Sequence, residues 1–219
     1  KVEEIIRKLM PGARVQRMDA DVTTRRGSHR EILGNFRAGK IDILIGTQMI
    51  AKGLDFPNVT LIGVVCADTT LHMPDFRAGE RTFQLLVQGA GRAGRGAIPG
   101  EVFVQTYTPF NPAIQAARAL DYDGFCDQEM AFRKELLYPP FAHLVCLTVR
   151  CEQESTVLKA ADEFVIQLKS RLHRDVCLGG PTPAPLARAK GFYRYQVILR
   201  AANTSAITRP LSDLLAVFK

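Results

Sequence analysis

No stretch of these 219 residues stays apolar for the roughly 20 positions that a bilayer crossing requires. The first ten residues, Lys1 to Met10, alternate charged with apolar side chains and so lack the unbroken apolar run of a signal peptide. A cytoplasmic protein is expected. Cysteines number five, and Cys66, Cys126, Cys146, Cys151 and Cys177 include no C-x2-C pair. Their scatter argues against a structural zinc site and predicts buried, reduced thiols, with no metal bound by this chain. Also missing are a G-x-x-x-x-G-K-[ST] loop to cradle phosphates and a D-E-x-H box to hold magnesium. No Ser/His/Asp or Cys/His hydrolase pattern appears, and His72, His143 and His173 have no acid–nucleophile arrangement around them.

What is present is ordinary in amount and uneven in placement. Apolar residues make up 47% and charged residues 23%, as in soluble globular proteins, and the length suits one large or two modest domains. The net charge of +7 gathers at two places: residues 1–40 hold ten Lys/Arg against five acids, and residues 168–200 hold seven against one. The stretch between them is acidic by five. Two basic regions around an acidic middle fit a polyanion bound at particular faces.

The periodicity predicts two domains. Ile5, Ile6, Leu9 and Met10 repeat at helical spacing until Pro11-Gly12. A strand is expected over Ala13–Met18. Ser28 and Glu31 then form a capping box for a helix that turns Ile32, Leu33 and Phe36 inward and closes at Gly39. Ile41–Ile45 and Thr60–Val65 read as buried strands, Arg81–Gln88 as a helix and Glu101–Tyr107 as a strand. Strands alternating with helices predict a parallel α/β sheet over 1–108. A helical bridge, 109–137, leads to Tyr138-Pro-Pro-Phe141. The second domain, 138–219, opens with a strand at Ala142–Arg150. An amphipathic helix carrying Val157, Leu158, Ala161, Phe164, Val165, Leu168 and Leu172 follows. Then come a short strand near 176–180, a Gly/Pro-rich stretch over 179–191, a strand at Tyr193–Leu199 and a last helix from Thr204. The order β-α-β-β-α suits a split βαβ domain that lacks one strand, so the chain is expected to be a piece cut at both ends.

Two segments carry chemistry. Gly46-Thr47-Gln48-Met-Ile-Ala51-Lys52-Gly53-Leu-Asp55 follows a buried strand, at the carboxyl end where α/β sheets bind ligands. Gly46 and Gly53 admit close approach of the backbone, the Thr47 hydroxyl suits a phosphate oxygen, and the Asp55 carboxylate suits a ribose hydroxyl or an arginine. The second segment is Gln88-Gly-Ala-Gly91-Arg92-Ala-Gly94-Arg95. It spells G-x-G-x-x-G but follows a helix and runs into Pro99-Gly100, the wrong context for a dinucleotide fingerprint. Arg92 and Arg95, three residues apart at a helix end, instead suit a triphosphate whose charge grows on the γ-phosphoryl oxygens during transfer.

Together these segments resemble the fifth and sixth motifs of superfamily-two helicase motors: Thr47-x-x-x-Ala51-Lys52-Gly53-x-Asp55 and Gln88-x-x-Gly91-Arg92-x-x-Arg95. The fuller strings resemble the PriA family of replication-restart helicases more closely. These are Gly46–Val59, Pro74–Leu86, Tyr138–Phe141, Gly180–Pro185 and Tyr193–Gln196. The resemblance implies a RecA-like second motor lobe followed by a small α+β, ferredoxin-like domain. It implies an ATP-dependent 3′→5′ helicase that binds forked DNA and restarts replication by primosome assembly. Gln88, Arg92 and Arg95 would then complete an ATP site from the second lobe, with Gly53 and Asp55 on the nucleotide side and Thr47, Gln48 and Lys52 towards the DNA.

ATP and Mg2+ would be shared with a first lobe that this sequence lacks, so the chain alone is expected to be inactive. Zinc is expected only upstream. Arg25, Arg26 and Arg30, with His29, sit at a turn and a helix start, where cations oppose the helix dipole and suit a phosphate backbone better. In the second domain Arg188, Lys190, Arg194 and Arg200 surround Phe192, Tyr193 and Tyr195, an arrangement suited to stacked single-stranded bases or to an acidic peptide. The resemblance implies forked and single-stranded DNA, other primosome proteins and the acidic tail of single-stranded-DNA-binding protein as partners. Arg188 and Lys190 are then assigned to DNA, and Arg194 and Gln196 to the tail. Two departures from the family stand out, Gly89 in place of an aliphatic residue and Cys66 in place of aspartate. The alternatives are a non-enzymatic nucleic-acid-binding module and, on the G-x-G-x-x-G string, a nucleotide-dependent oxidoreductase.

Overall fold

The computed structural model describes residues 1–18, 28–47, 58–94 and 99–217. The expected capping residues fall partly outside these, since nothing of the Ser28 side chain is described. The chain packs as two compact units, Lys1–His72 with Arg77–Tyr122, and Met73–Phe76 with Asp123–Lys219.

In the first unit α1 (Val2–Leu9) precedes β1 (Val15–Met18), and α2 (Ser28–Arg37) leads to β2 (Ile43–Gly46). The two strands pair in parallel, Val15 opposite Ile43 through Met18 opposite Gly46. Arg14 and Asp42 fasten the entrance to this pair: Arg14 Nε donates to Asp42 Oδ2 at 2.8 Å, and its backbone amide reaches the same oxygen at 2.8 Å. Next, β3 (Leu61–Val64), the single turn α3 (Asp68–Leu71) and α4 (Ala78–Ala90) lead into β4 (Glu101–Val104), parallel to β3. Among the described residues the single parallel sheet expected from sequence is therefore two parallel pairs, each closed by its own helical crossover. The helix expected over 81–88 begins three residues earlier. It buries Ala78, Thr82, Phe83, Leu86 and Gly89 along one face, a stripe with helical period. It packs on α5 (Pro112–Ala119), which Asn111 caps by accepting from the Ala113 amide at 3.0 Å.

The second unit contains α6 (Tyr122–Glu135) from Asp123 onwards, β5 (His143–Cys151), α7 (Glu154–Lys169), β6 (Cys177–Ala189), β7 (Phe192–Ala201) and α8 (Ser205–Val217). Its sheet is antiparallel in the order β5-β7-β6, which splits the β5-α7-β6 unit by inserting β7. Phe164 and Leu168 of α7 and Ile207, Leu211 and Leu214 of α8 meet Val197, Leu199 and Ala201 of β7 in one core, and Val157 and Ala161 of α7 are buried as well. Leu158, expected inward, lies at the margin and is exposed.

The Gly/Pro-rich stretch differs from expectation, because it is a thirteen-residue strand. As the edge of the sheet, β6 can hold Pro181, Pro183 and Pro185 where a central strand could not, and its register shifts twice, between Gly179 and Thr182 and between Pro183 and Arg188. Lys190 and Gly191, with φ of 50° and 86°, are the whole loop to β7, matching the two-residue turn that needs positive φ at both positions.

The segment Met73–Phe76 belongs to this second unit, and aromatic stacking shows how it is held. The Phe76 ring lies nearly parallel to that of Tyr138, 17° apart with centres at 5.4 Å. The Arg133 guanidinium sits 5.1 Å from the Phe76 centre and that of Arg200 5.0 Å from the Tyr138 centre. Arg133 is buried and paired with Glu129 at 2.9 Å, and Arg200 also donates to the Leu136 carbonyl at 2.7 Å.

Candidate nucleotide and nucleic-acid sites

The sixth-motif segment starts on α4 and finishes beyond it. Gln88 is exposed on the last turn, and Gly91 caps the helix with its amide donating to the Val87 carbonyl at 2.9 Å. Arg92, half-buried, follows one turn after Gln88, and its amide donates to the Gly89 carbonyl at 3.0 Å. Gln88 thus stands on the last helical turn and Arg92 in the turn that follows the cap. Arg95 lies outside the described residues. At Gly89 an added Cβ would find its nearest neighbour, Ile62 Cγ2 of β3, at 3.8 Å, ordinary van der Waals contact.

The fifth-motif segment begins as expected, with Thr47 exposed at the carboxyl end of β2. A recess of about 390 Å³ opens there, lined among others by Lys1, Glu3, Glu4, Arg17, Gly46 and Thr47. The mixed charge of that lining offers donors and acceptors together. Gln48, Lys52, Gly53 and Asp55 lie outside the described residues, as do Arg25 and Arg26. Arg30 is exposed in the first turn of α2, the end at which a cation opposes the dipole.

Sequence reasoning missed the group that stiffens the carboxyl ends of β3 and β4. Asp68 opens α3 and is buried at 4% exposure. Its Oδ1 accepts from the Thr108 hydroxyl at 2.9 Å and the Thr106 hydroxyl at 3.2 Å, and its Oδ2 accepts from the Tyr107 amide at 3.0 Å. Burial pushes this carboxyl up, but the bonds from Tyr107, Thr108 and Thr106 outweigh it and leave the pKa below the ordinary aspartate value. The signal was an acid four residues past a strand, with a Thr-x-Thr after the next one. Beside it Cys66 takes a left-handed conformation, φ 58°, which asparagine and aspartate adopt more readily than cysteine. The aspartate expected there from the resemblance would suit that backbone.

In the second unit the sheet register sorts the candidates by face. Val197, Leu199 and Ala201 of β7 point into the core, so the alternating residues Phe192, Arg194, Gln196 and Ile198 lie on the opposite face. Arg194 stands directly opposite Arg150 of β5, and Gln196 lies between Thr148 of β5 and Thr182 of β6. Two like charges face each other across strands, an arrangement that is unfavourable without an anion nearby. Arg150 also lies 5.4 Å from the Phe192 ring centre. Arg188 and Lys190 are exposed at the β6–β7 hairpin end, Arg188 with its guanidinium 5.0 Å from the centre of the Tyr193 ring. Arg200, grouped with these cations by sequence, is engaged inside the fold through Tyr138 and Leu136. Tyr193 and Tyr195 share the core-side face and are half-buried. Among the described residues no cluster of three or more His, Cys, Asp or Glu side chains could hold a metal ion, and no helix is long and apolar enough to cross a membrane.

Comparison with known proteins gives these sites a context. Residues 1–97 match the helicase conserved C-terminal domain, and residues 134–219 match the primosomal protein N C-terminal domain. The class is thus a helicase lobe of α/β fold joined to a small α+β domain, as the sequence predicted. The replication restart protein PriA of Bacillus subtilis (strain 168) is 48% identical over 219 residues, all of this chain and 27% of that protein. Those of Synechocystis sp. and Treponema pallidum are 41% and 40% identical, over 98% and 100% of this chain and 26% and 33% of their own lengths. The chain belongs to the PriA family. It spans about a quarter to a third of the length of these relatives.

Proposed function

We propose that this chain is the second motor lobe and C-terminal domain of an ATP-dependent 3′→5′ DNA helicase that binds forked DNA and restarts replication by primosome assembly in the bacterial cytoplasm. The observation that carries this reading is Gln88 and Arg92 one turn apart at the end of α4, inside the segment that matches a helicase lobe. Lobe closure brings Arg92 and Arg95 against the γ-phosphoryl oxygens of ATP. Their forked guanidiniums stabilise the charge that develops during transfer, with Gln88 beside them. Gly53 and Asp55 serve the nucleotide side. Thr47, Gln48 and Lys52 carry the change to the DNA backbone, and Arg25, Arg26 and Arg30 hold phosphates.

The residues present fit only half of an ATP site. The guanidiniums suit a triphosphate, and the sequence holds no loop to cradle it. Magnesium would be held with ATP mainly by the first lobe, where it would offset phosphate charge. Without that lobe the chain does not hydrolyse ATP. In the second unit Arg188 and Lys190 meet DNA from the hairpin end. Arg194 and Gln196 receive the acidic tail of single-stranded-DNA-binding protein, a role supported by Arg194 standing opposite Arg150 across the strands.

The test is ATP hydrolysis by the full-length protein with and without forked DNA, wild type against Arg95→Ala. DNA-stimulated turnover in the wild type, lost in the variant while ATP still binds, is the expected result. Normal turnover in the variant removes Arg95 from the transition state. If DNA stimulates neither protein, the motor reading gives way to a non-enzymatic nucleic-acid-binding module.

A further inference from the structure

Beyond Arg92, Gly94 and Gly100 bring two sides of the backbone together. The amide of Gly94 donates to the Val59 carbonyl at 3.0 Å, and that of Glu101 donates to the neighbouring Thr60 carbonyl at 2.9 Å. Two consecutive residues at the root of β3 therefore hold both sides of the segment. Where the sides meet, a Cβ on Gly94 would run into the backbone nitrogen of Gly100. A Cβ on Gly100 would run into the Gly94 nitrogen and the Ala93 carbonyl carbon. These neighbours are backbone, so no side chain can swing aside. Gly94 also has φ +72°, which only glycine adopts without strain. Gly12, Gly34 and Gly63 of the same unit face open space instead.

We infer that Gly94 and Gly100 form a backbone clasp that sets the pose of Arg92, so that Gly100, outside both helicase motifs, is a positioning residue for the phosphate-contacting arginine. This rests on the reading of Arg92 given above. The Arg92 amide is tied to the last turn of α4, and two residues later the chain is tied to Val59 and locked against Gly100. The backbone that bears the guanidinium is thus fixed on both sides. A methyl at position 100 can be accommodated only by parting the two sides, which moves the chain next to Arg92. Displacement of a catalytic group by about 1 Å is enough to cost roughly a hundredfold in rate.

The experiment is a double-mutant cycle in the full-length protein with forked DNA, measuring kcat, KM and ATP affinity. Arg92→Ala and Gly100→Ala are each expected to lower kcat, the latter by roughly a hundredfold, with ATP affinity unchanged. Combined, they are expected to be no slower than Arg92→Ala alone, because a misplaced arginine and a missing one have the same consequence. Gly63→Ala is expected to match the wild type. Wild-type turnover by Gly100→Ala overturns the clasp, as do two losses that multiply in full. Normal turnover by Arg92→Ala, in contrast, sinks the nucleotide reading itself. Should Gly100→Ala not fold, hydrogen exchange on the wild type decides: the Gly94 amide should be protected like the β3–β4 ladder, and free exchange there overturns the clasp.

Discussion

In the second unit, α7 and α8 lay a continuous apolar stripe on one face of a three-stranded sheet, and Val157, Leu168, Val197, Leu199, Ile207 and Leu214 lose all contact with solvent. Among the described residues of the first unit, Met18 and Thr82 come near that burial, and α1 buries none of its residues. The first unit adds to its buried apolar residues a set of hydrogen-bond and steric devices. These are the Asp68 clip, the glycine clasp after α4 and the parallel pair fastened by Arg14 and Asp42. One unit gathers its most buried residues on one sheet face, and the other carries hydrogen-bond and steric geometry around its candidate ligand edges. They should therefore respond to different insults.

The largest expected effect is in the packed core. Leu199→Ala should cost the second unit about 2–5 kcal/mol, read as a lower urea midpoint by probes in that unit. Ile5→Ala on α1, where the side chain is exposed, should stay within about 0.5 kcal/mol. Equal losses at the two sites would erase the contrast.

Asp68 sharpens it through pH. Its folded pKa is depressed, so the stability it contributes is fully present above the ordinary aspartate value of 3.8 and is lost as pH falls through the lower folded value. Asp68→Asn should lower the first unit's melting temperature at pH 7, and the gap from wild type should close in acid. A gap that persists unchanged at acid pH would show that the charge is not what matters.

Smaller again is the end of α5, where Leu120 occupies a left-handed cap at φ 54° with most of its side chain in solvent. Leu120→Gly should stabilise the protein by up to about 1 kcal/mol in equilibrium denaturation, since glycine takes that conformation without steric cost. The smallest effect is expected at Asp42, which the hydrogen bond from Arg14 lowers to about 2. Both side chains are exposed, so Asp42→Asn should shift stability only slightly. Wild type should lose that small advantage as pH falls from 3.8 through about 2.

How legible the fold was from sequence depended on which physics fixed each element. The period of Val157, Ala161, Phe164 and Leu168 gave α7, and Pro11-Gly12 marked the end of α1, because burial and chain breaking are local signals. The strand β6 was hidden by its prolines, which forbid a central strand and are tolerated at an edge, and edge position is a tertiary fact. The two-residue turn at Lys190-Gly191 was obscured for the same reason. At the candidate sites Gln88, Arg92 and Thr47 were named from their motifs, at the ends of an expected helix and an expected strand. Asp68 was not, since its three partners lie 38 to 40 residues away. Gly100 was read as a residue that ends structure, and its close approach to Gly94 appears only in three dimensions.

In the proposed function this chain supplies the arginine half of an ATP site and needs a second lobe to turn over. The direct measurement is the ATP hydrolysis rate of the purified 219-residue chain beside that of the full-length protein, each with forked DNA. The account predicts no turnover above background by the chain and DNA-stimulated turnover by the full-length protein. Appreciable hydrolysis by the chain alone would contradict it.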